Sequence, residues 1–534
     1  MKRLIISTVI LLAAVVAVTV VYFRNLRPQA QHTGEVMHTI PPTAAFIVEF
    51  NNDTSFYDIF KNNQLFNNLI GKPAVDDLSL IRKEIFSNPL LAHFFSGQNV
   101  FISLHPEKDN TTNLLVTTSA SPDFNPAMLD ELTKQKAGNL VVSPIIIEGK
   151  KGYSFYSSSL KKRFYLIRHA QDIFSGSFSK DLVTETAHLD AKKELVPFVL
   201  IPDQQTTNSL MNLYINYSEL NALFAQLFTN KNTDIFKSFR LFSGLSALTL
   251  NYKSSAIMFS GLTNRPPHVP QAYLDLFINQ QPVENQLKDI FPSTTAYSIS
   301  CAVSDVQQFK NDLSSWQTKA NIQHEKDSVF KKIKAETGVN LTTEFTRLLG
   351  NEFAVVTTRY QEKLAIISLK SGTDIRPILN NVSTAVRENI GQINYNKIPA
   401  FLLGDVFNVF KKPYYIVLDN YLVMANTLNE INSYLDSYNN HKFLSKLADY
   451  KQFDNLLTGK SNISWVMNIK NSQTELKRDL SNNFYTPMQN NNPGWKNFYG
   501  ASLQFTTSGK HFYTNFCMNL AAPDTALTSK PDIK

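Results

Sequence analysis

The sequence predicts an α+β protein: two tandem homologous domains with antiparallel sheets and packed helices, placed after one N-terminal transmembrane helix. Three observations lead to it. An uninterrupted apolar run stands near the N-terminus, the body repeats itself at an offset near 250 residues, and each repeat mixes short alternating strands with helical stretches. The chain has 534 residues, of which 43% are hydrophobic and 18% charged. Such a composition buries a core and does not describe a disordered chain. Two cysteines exclude a disulfide scaffold and any multi-cysteine metal or iron–sulfur site.

The apolar run is Leu4–Phe23, LIISTVILLAAVVAVTVVYF, 20 residues without a charge. At about 1.5 Å per residue it makes roughly 30 Å of helix, the thickness of a bilayer core. A cleaved signal peptide would carry a shorter apolar region ending in a small-x-small site; this run ends in Val20-Val21-Tyr22-Phe23. The expectation is therefore an uncleaved signal anchor over residues 1–23. Lys2 and Arg3 precede the run, and Arg24 and Arg27 follow it. The short basic tail favours tail inside and body outside, a single-pass membrane protein whose body lies on the periplasmic side of the inner membrane. Residues 24–39 read as a polar tether and 521–534 as a disordered tail. The anchor and tether carry +3 of the net +8, so the body offers no strong ground for binding nucleic acid, and none is expected as a partner.

The repeat shows in six windows that keep their order. Ile40-Pro41-Pro42-Thr43 resembles Phe291-Pro292-Ser293-Thr294, Phe95-Ser96-Gly97 resembles Leu348-Leu349-Gly350, and Pro126 falls 251 residues before Pro377. Lys161-Lys162-Arg163-Phe164-Tyr165 resembles Lys411-Lys412-Pro413-Tyr414-Tyr415, Tyr214-Ile215-Asn216 resembles Val466-Met467-Asn468, and Phe242-Ser243-Gly244 resembles Phe498-Tyr499-Gly500. Offsets run from 250 to 256, and the larger last one places an insertion, Ser481–Asn497, in the second copy. The expected domains are a first repeat over 40–262, a bridge with a short helix over 263–290 and a second repeat over 291–520.

Strands are expected where β-branched and aromatic residues alternate, among them Ala45–Phe50, Asn99–Leu104, Asn113–Ser119, Ile173–Ser177, Leu213–Tyr217 and Ser246–Tyr252. Asp419-Asn420 between two such runs signals a two-residue hairpin. Pro126 and Pro377 fit the first turn of a helix, where a missing N–H costs nothing. The anchor, the Pro-led first strand at Ile40-Pro41-Pro42-Thr43 and the second copy opening on Phe291-Pro292-Ser293-Thr294 together resemble the uncharacterised bacterial envelope family called domain of unknown function 3352. The resemblance spans nearly the whole body. It implies no activity and no site residues.

Catalytic motifs mostly fail. The histidines form no H-x-H, H-x-x-H or H-E-x-x-H, and no Walker A or G-x-G-x-x-G stretch occurs. No catalytic residue, metal ligand or cofactor site is assigned. The nearest miss is Ser177-Phe178-Ser179-Lys180 with Lys370-Ser371-Gly372, which mimics the S-x-x-K and K-[ST]-G of penicillin-binding enzymes without the middle element. Cys301 and Cys517 either pair or are buried thiols. The chain is rich in residues that bind sugars or peptides through amide bonds and ring stacking, with 51 Asn, 21 Tyr and 38 Phe. The insertion offers the best binding loop, with Phe484, Tyr485 and Trp495 as candidate contacts. The expected role is a membrane-anchored, extracytoplasmic, non-catalytic scaffold or binding protein. Its partners would be the membrane through residues 4–23 and an envelope protein, glycan or lipid. The alternatives are a hydrolase with scattered residues, which a Ser–His pair in a pocket would favour, and a lipid-handling protein.

Overall fold

The computed structural model describes residues 34–522 except for short stretches, the longest of them 190–208 and 230–243, and describes 54–91 in part. Twenty antiparallel strands dominate the described residues, beside one two-stranded ribbon. They belong to two compact units, one drawn from residues 1–52, 88–105 and 113–210, the other from 53–87, 106–112 and 211–534.

The first unit contains β1 (Phe46–Asn51), β2 (Asn99–Pro106), β3 (Thr112–Ser119), β4 (Leu140–Ile147), β5 (Lys150–Ser157), β6 (Lys162–Arg168) and β7 (Ile173–Ser177). They pair in the order β1-β2-β3-β7-β6-β5-β4. Helix Ala127–Lys134 follows β3 and helix Lys180–Ala187 follows β7. The latter begins where the Ser179 hydroxyl accepts the Leu182 N–H at 3.3 Å, and it buries Val183 and Ala187 against Ile147 and Ile167.

The second unit contains β8 (Asn212–Asn216), β9 (Leu245–Tyr252), β10 (Ala256–Asn264), β11 (Val283–Glu284), β12 (Thr295–Ala302), β13 (Leu349–Thr358), β14 (Lys363–Leu369), β15 (Ser383–Arg387), β16 (Ile390–Ile393), β17 (Tyr414–Leu418), β18 (Tyr421–Ala425), β19 (Lys460–Ser461), β20 (Ile463–Asn468), β21 (Phe498–Ser508) and β22 (His511–Leu520). Strands β12-β13-β14-β18-β17-β16-β15 repeat the order of β1 to β7. Helices Gly372–Asn381 and Leu428–Asn439 follow β14 and β18 as their counterparts follow β3 and β7. On the other side of β12 the sheet continues β20-β21-β22-β10-β9-β8. Ribbon β11-β19 stands apart.

Local chemistry explains the boundaries. Asp419 takes φ +47° in the tight turn that pairs Leu418 with Tyr421, the hairpin expected from Asp419-Asn420. Asp305 caps helix Val306–Lys319 by accepting two backbone N–H groups at 2.9 Å, and Gly338, at φ +73°, ends helix Gln323–Thr337. Pro377 departs from expectation. Ser371 caps a helix that opens at Gly372, so the proline falls inside it. The core of the second unit joins Ala354, Val356, Leu364, Ile366, Val423 and Ala425 to Ile431 and Tyr434, while Phe277, Phe309 and Phe407 gather around Phe353.

Two expectations are corrected. The α+β reading with two tandem domains gives way to a predominantly antiparallel sheet architecture whose compact units do not divide at residue 262. The reason is the pairing of β10 with β22 over eight residues, Ala256↔Asn519 through Thr263↔Phe512. It builds the last strands of the first expected domain into the sheet of the second. The transmembrane helix, and the single-pass membrane and extracytoplasmic placement built on it, are corrected as well. Among the described residues no helix is long and apolar enough to cross a membrane. The longest, Val306–Lys319 and Gln323–Thr337, carry lysines and exposed polar faces. The expected span Leu4–Phe23 lies outside the described residues.

Candidate functional site

The insertion is a fastening. Helix Asn482–Gln489 holds Phe484 and Tyr485 half-buried on its surface. At its start Ser481 donates through its hydroxyl to the Gln226 carbonyl at 3.0 Å and through its backbone N–H to the Leu227 carbonyl at 2.8 Å. At its end the Trp495 indole N–H donates to the Leu69 carbonyl at 2.7 Å, and Asn497 donates to Asn68 at 3.1 Å. A Cβ at Gly494 would lie 2.3 Å from Asn68 Oδ1, so a larger residue there would displace the Asn68 side chain from its bond with Asn497. Trp495→Phe is expected to cost about 1 kcal/mol, the worth of one hydrogen bond, read as a lower urea midpoint.

The serine–lysine near miss dissolves into capping. Ser179 and Ser371 each start a helix, and Ser177 donates to the Leu114 carbonyl at 2.7 Å. Ser–His pairs do exist in the first unit. His105 Nε2 lies 2.8 Å from Ser103 Oγ and His169 Nε2 lies 3.0 Å from Ser175 Oγ. Neither imidazole has a carboxylate behind it: Thr43 Oγ1 meets His105 Nδ1 at 3.0 Å, and His169 Nδ1 is buried without a partner. Burial pushes both imidazoles down to about 4. Ser103 and Ser175 are fully buried, so no substrate reaches them. A base this weak, sealed and unoriented, does not activate a serine at neutral pH. Cys301 and Cys517 are free, buried thiols, the second of the two readings left open by the sequence. Among the described residues no group of three His, Cys, Asp or Glu could hold a metal ion.

What sequence reasoning missed lies across the strands of the second unit. Strand register places Ser300 opposite Ser464, Ser464 opposite Gln504, Gln504 opposite Asn515, Asn515 opposite Ser260, Ser260 opposite Thr249 and Thr249 opposite Asn212. Directly opposed residues share a face, so one row of hydroxyls and amides crosses seven strands. At about 4.8 Å per strand it is about 29 Å long. The neighbouring row on the opposite face is Ile299, Trp465, Leu503, Phe516, Phe259 and Leu250, all apolar. This is the alternation of an antiparallel sheet that sets polar side chains on one face and apolar ones on the other.

The polar row opens at its centre. Asn515, Ser260 and Thr249 are half-buried and Asn251 is exposed, whereas Ser464, Gln504 and Asn212 are buried at the flanks. Gln504 is occupied at the backbone of Thr458, accepting its N–H at 2.9 Å and donating to its carbonyl at 3.1 Å. Asn251 donates to Ser260 at 3.2 Å. Asn515 Nδ2 and Ser502 Oγ, both on this face, are buried and have no partner. Two residues from Asn515, Tyr513, 41% exposed, lies across from Thr506 on one side and Leu262 on the other, a ring laid open on the same face. Each strand announces its part by alternation, Thr249-x-Asn251 and Tyr513-x-Asn515 among them, but only register aligns the parts. Compared with family models, curated proteins and solved structures, the chain matches none of them.

Proposed function

We propose that this chain is a non-catalytic binding protein and that the polar row on β9, β10, β22 and β21 is its binding face. The observation that carries the reading is the row itself, which opens at half-buried Asn515, Ser260 and Thr249 and exposed Asn251, with the open ring of Tyr513 two residues from Asn515. The amide and hydroxyl groups at this opening both donate and accept hydrogen bonds, and a ligand with hydroxyl and amide groups would match them. The occupant that suits the face is a glycan chain lying across the strands. Sugar rings present hydroxyls on both sides of an apolar face, which matches amides and hydroxyls flanking Tyr513. The row carries no charged side chain, so it favours a neutral ligand. The sealed Ser–His pairs favour binding over hydrolysis.

Calorimetric titration with chitohexaose, which carries both hydroxyl and amide groups, tests this. The full chain is expected to bind it, and Asn515→Leu is expected to weaken binding about tenfold, the loss of one well-placed hydrogen-bonding group. No binding, or equal binding by the variant, contradicts the reading.

A further inference from the structure

Strand β4 ends the strand order of the first unit, and β15 holds the matching place in the second. Among the described residues β4 pairs with β5 alone and β15 with β16 alone. An unpaired edge is a template for another strand, and proteins guard such edges with short length, charge and bulges. All three guards stand on β15: it has five residues, Arg387 at its end and a register break between Ala385 and Arg387. On β4 the single guard is Pro144. The strand runs eight residues in unbroken register with β5, and its sequence, LVVSPIII, carries no charge. Ile146 is 78% exposed and Val141 59%.

The turn into β5 decides which backbone groups face outward. Glu148 and Gly149, at φ +48° and +73°, form a two-residue hairpin loop. Its flanking residues, Ile147 and Lys150, make a hydrogen-bonded pair, and bonded pairs alternate along an antiparallel ladder. Leu140, Val142, Pro144 and Ile146 therefore turn their backbone groups away from β5. Pro144 withholds its donor on the outer side only, which is where an edge strand tolerates proline.

A second copy of β4 suits this edge, because the strand reads alike in both directions from Ser143: three apolar residues, serine, three apolar residues. A two-fold axis at Ser143 sets Val141 opposite the second copy's Ile145, Val142 opposite its Pro144 and Leu140 opposite its Ile146. Ser143 meets its own copy, a hydroxyl pair that can hydrogen-bond across strands. No like charges meet. Pro144 selects this register. Opposite Val142 it forfeits a single bond, whereas an axis at Pro144 would set two residues without donors against each other.

We propose that the outer edge of β4 is the interface of a homodimer, in which β4 pairs antiparallel with β4 of a second copy about Ser143. The dimer satisfies the outward backbone groups and covers Val141 and Ile146. Its interface is the same patch on both copies, and small, so association on the order of micromolar is expected.

Thiol crosslinking and sedimentation of the full chain test it. Ser143→Cys would place two thiols in a non-hydrogen-bonded pair, with Cα atoms about 4.5 Å apart, within reach of a disulfide. Cys301 and Cys517 are buried and do not compete. Mild oxidation is expected to turn most of Ser143→Cys into a covalent dimer, and adding Ile146→Glu to lower the yield at least about tenfold. In the single chain that glutamate lies across from Lys151, an opposite-charge pair that keeps the fold; in the dimer it enters an uncharged interface. Without the added cysteine, Ile146→Glu is expected to sediment as a monomer where the unaltered chain is a dimer, while Val386→Glu on β15 sediments as the unaltered chain does. A monomeric unaltered chain, no disulfide at position 143, a dimer that survives Ile146→Glu, or one lost in Val386→Glu overturns the proposal.

Discussion

Acidification from pH 7 to pH 4 is expected to unfold the first unit ahead of the second. His105 and His169 are buried with folded values near 4 against about 6.5 in an unfolded chain. Between those values the unfolded state binds more protons, so stability is full above about pH 6.5 and is lost as the pH falls towards 4. A shift of that size is worth up to about 3 kcal/mol for each imidazole, and two of them approach the whole stability of a typical domain. The second unit has no such group in the matching place. Where the first unit sets Thr117, Ser175 and Ile167 in one row across β3, β7 and β6, the second sets Ile366, Val423 and Ile416 in one row across β14, β18 and β17. Amide exchange read strand by strand checks this. Protection in β2, β3 and β7 is expected to vanish near pH 4 while β13, β14 and β18 stay protected. Replacing His169 with Leu and Ser175 with Val is expected to remove the share of acid sensitivity carried by His169.

The second unit is expected to respond in the opposite direction. Glu352 is buried where its carboxylate accepts the N–H groups of Gln286 at 3.1 Å and Leu287 at 3.0 Å, and burial raises it to about 7 despite those bonds. Glu475 is fully buried, neither of its carboxylate oxygens has a partner, and burial raises it too. An acid whose folded value is raised binds its proton more tightly in the fold. Its contribution is favourable below the unfolded value near 4.5 and is lost as the pH rises through about 7 for Glu352. That loss amounts to up to about 3 kcal/mol for Glu352. Glu352→Gln is expected to flatten the fall in urea midpoint between pH 5 and pH 8, and Glu475→Gln to raise the midpoint at pH 8 by removing an unpaired buried charge, an effect of about 1–3 kcal/mol. A chain whose β13 and β14 protection does not change between pH 5 and pH 8 contradicts the assignment.

Some of this was legible in the residues. The alternation in β1, β2, β3 and β9, the turn at Asp419-Asn420 and the helix following Pro126 are local, and local chemistry decides them. The pairing of β10 with β22 was not, because it joins residues about 255 positions apart and depends on register between strands. The polar row was hidden for the same reason. The two buried histidines carry no spacing signal, since their serines sit two and six residues away on strand and hairpin. The aromatic insertion misled in another way: Trp495 reads as an open ring in a polar setting, yet its indole N–H closes on a carbonyl far away in the sequence.

A crystal structure of the full chain with chitohexaose tests the binding face most directly. The account predicts a sugar chain running across β21, β22, β10 and β9, with its acetamido and hydroxyl groups on Asn515 and Ser260 and a ring against Tyr513. A sugar seated elsewhere, or lying along a strand and making no contact with Asn515, Ser260 and Tyr513, would contradict it.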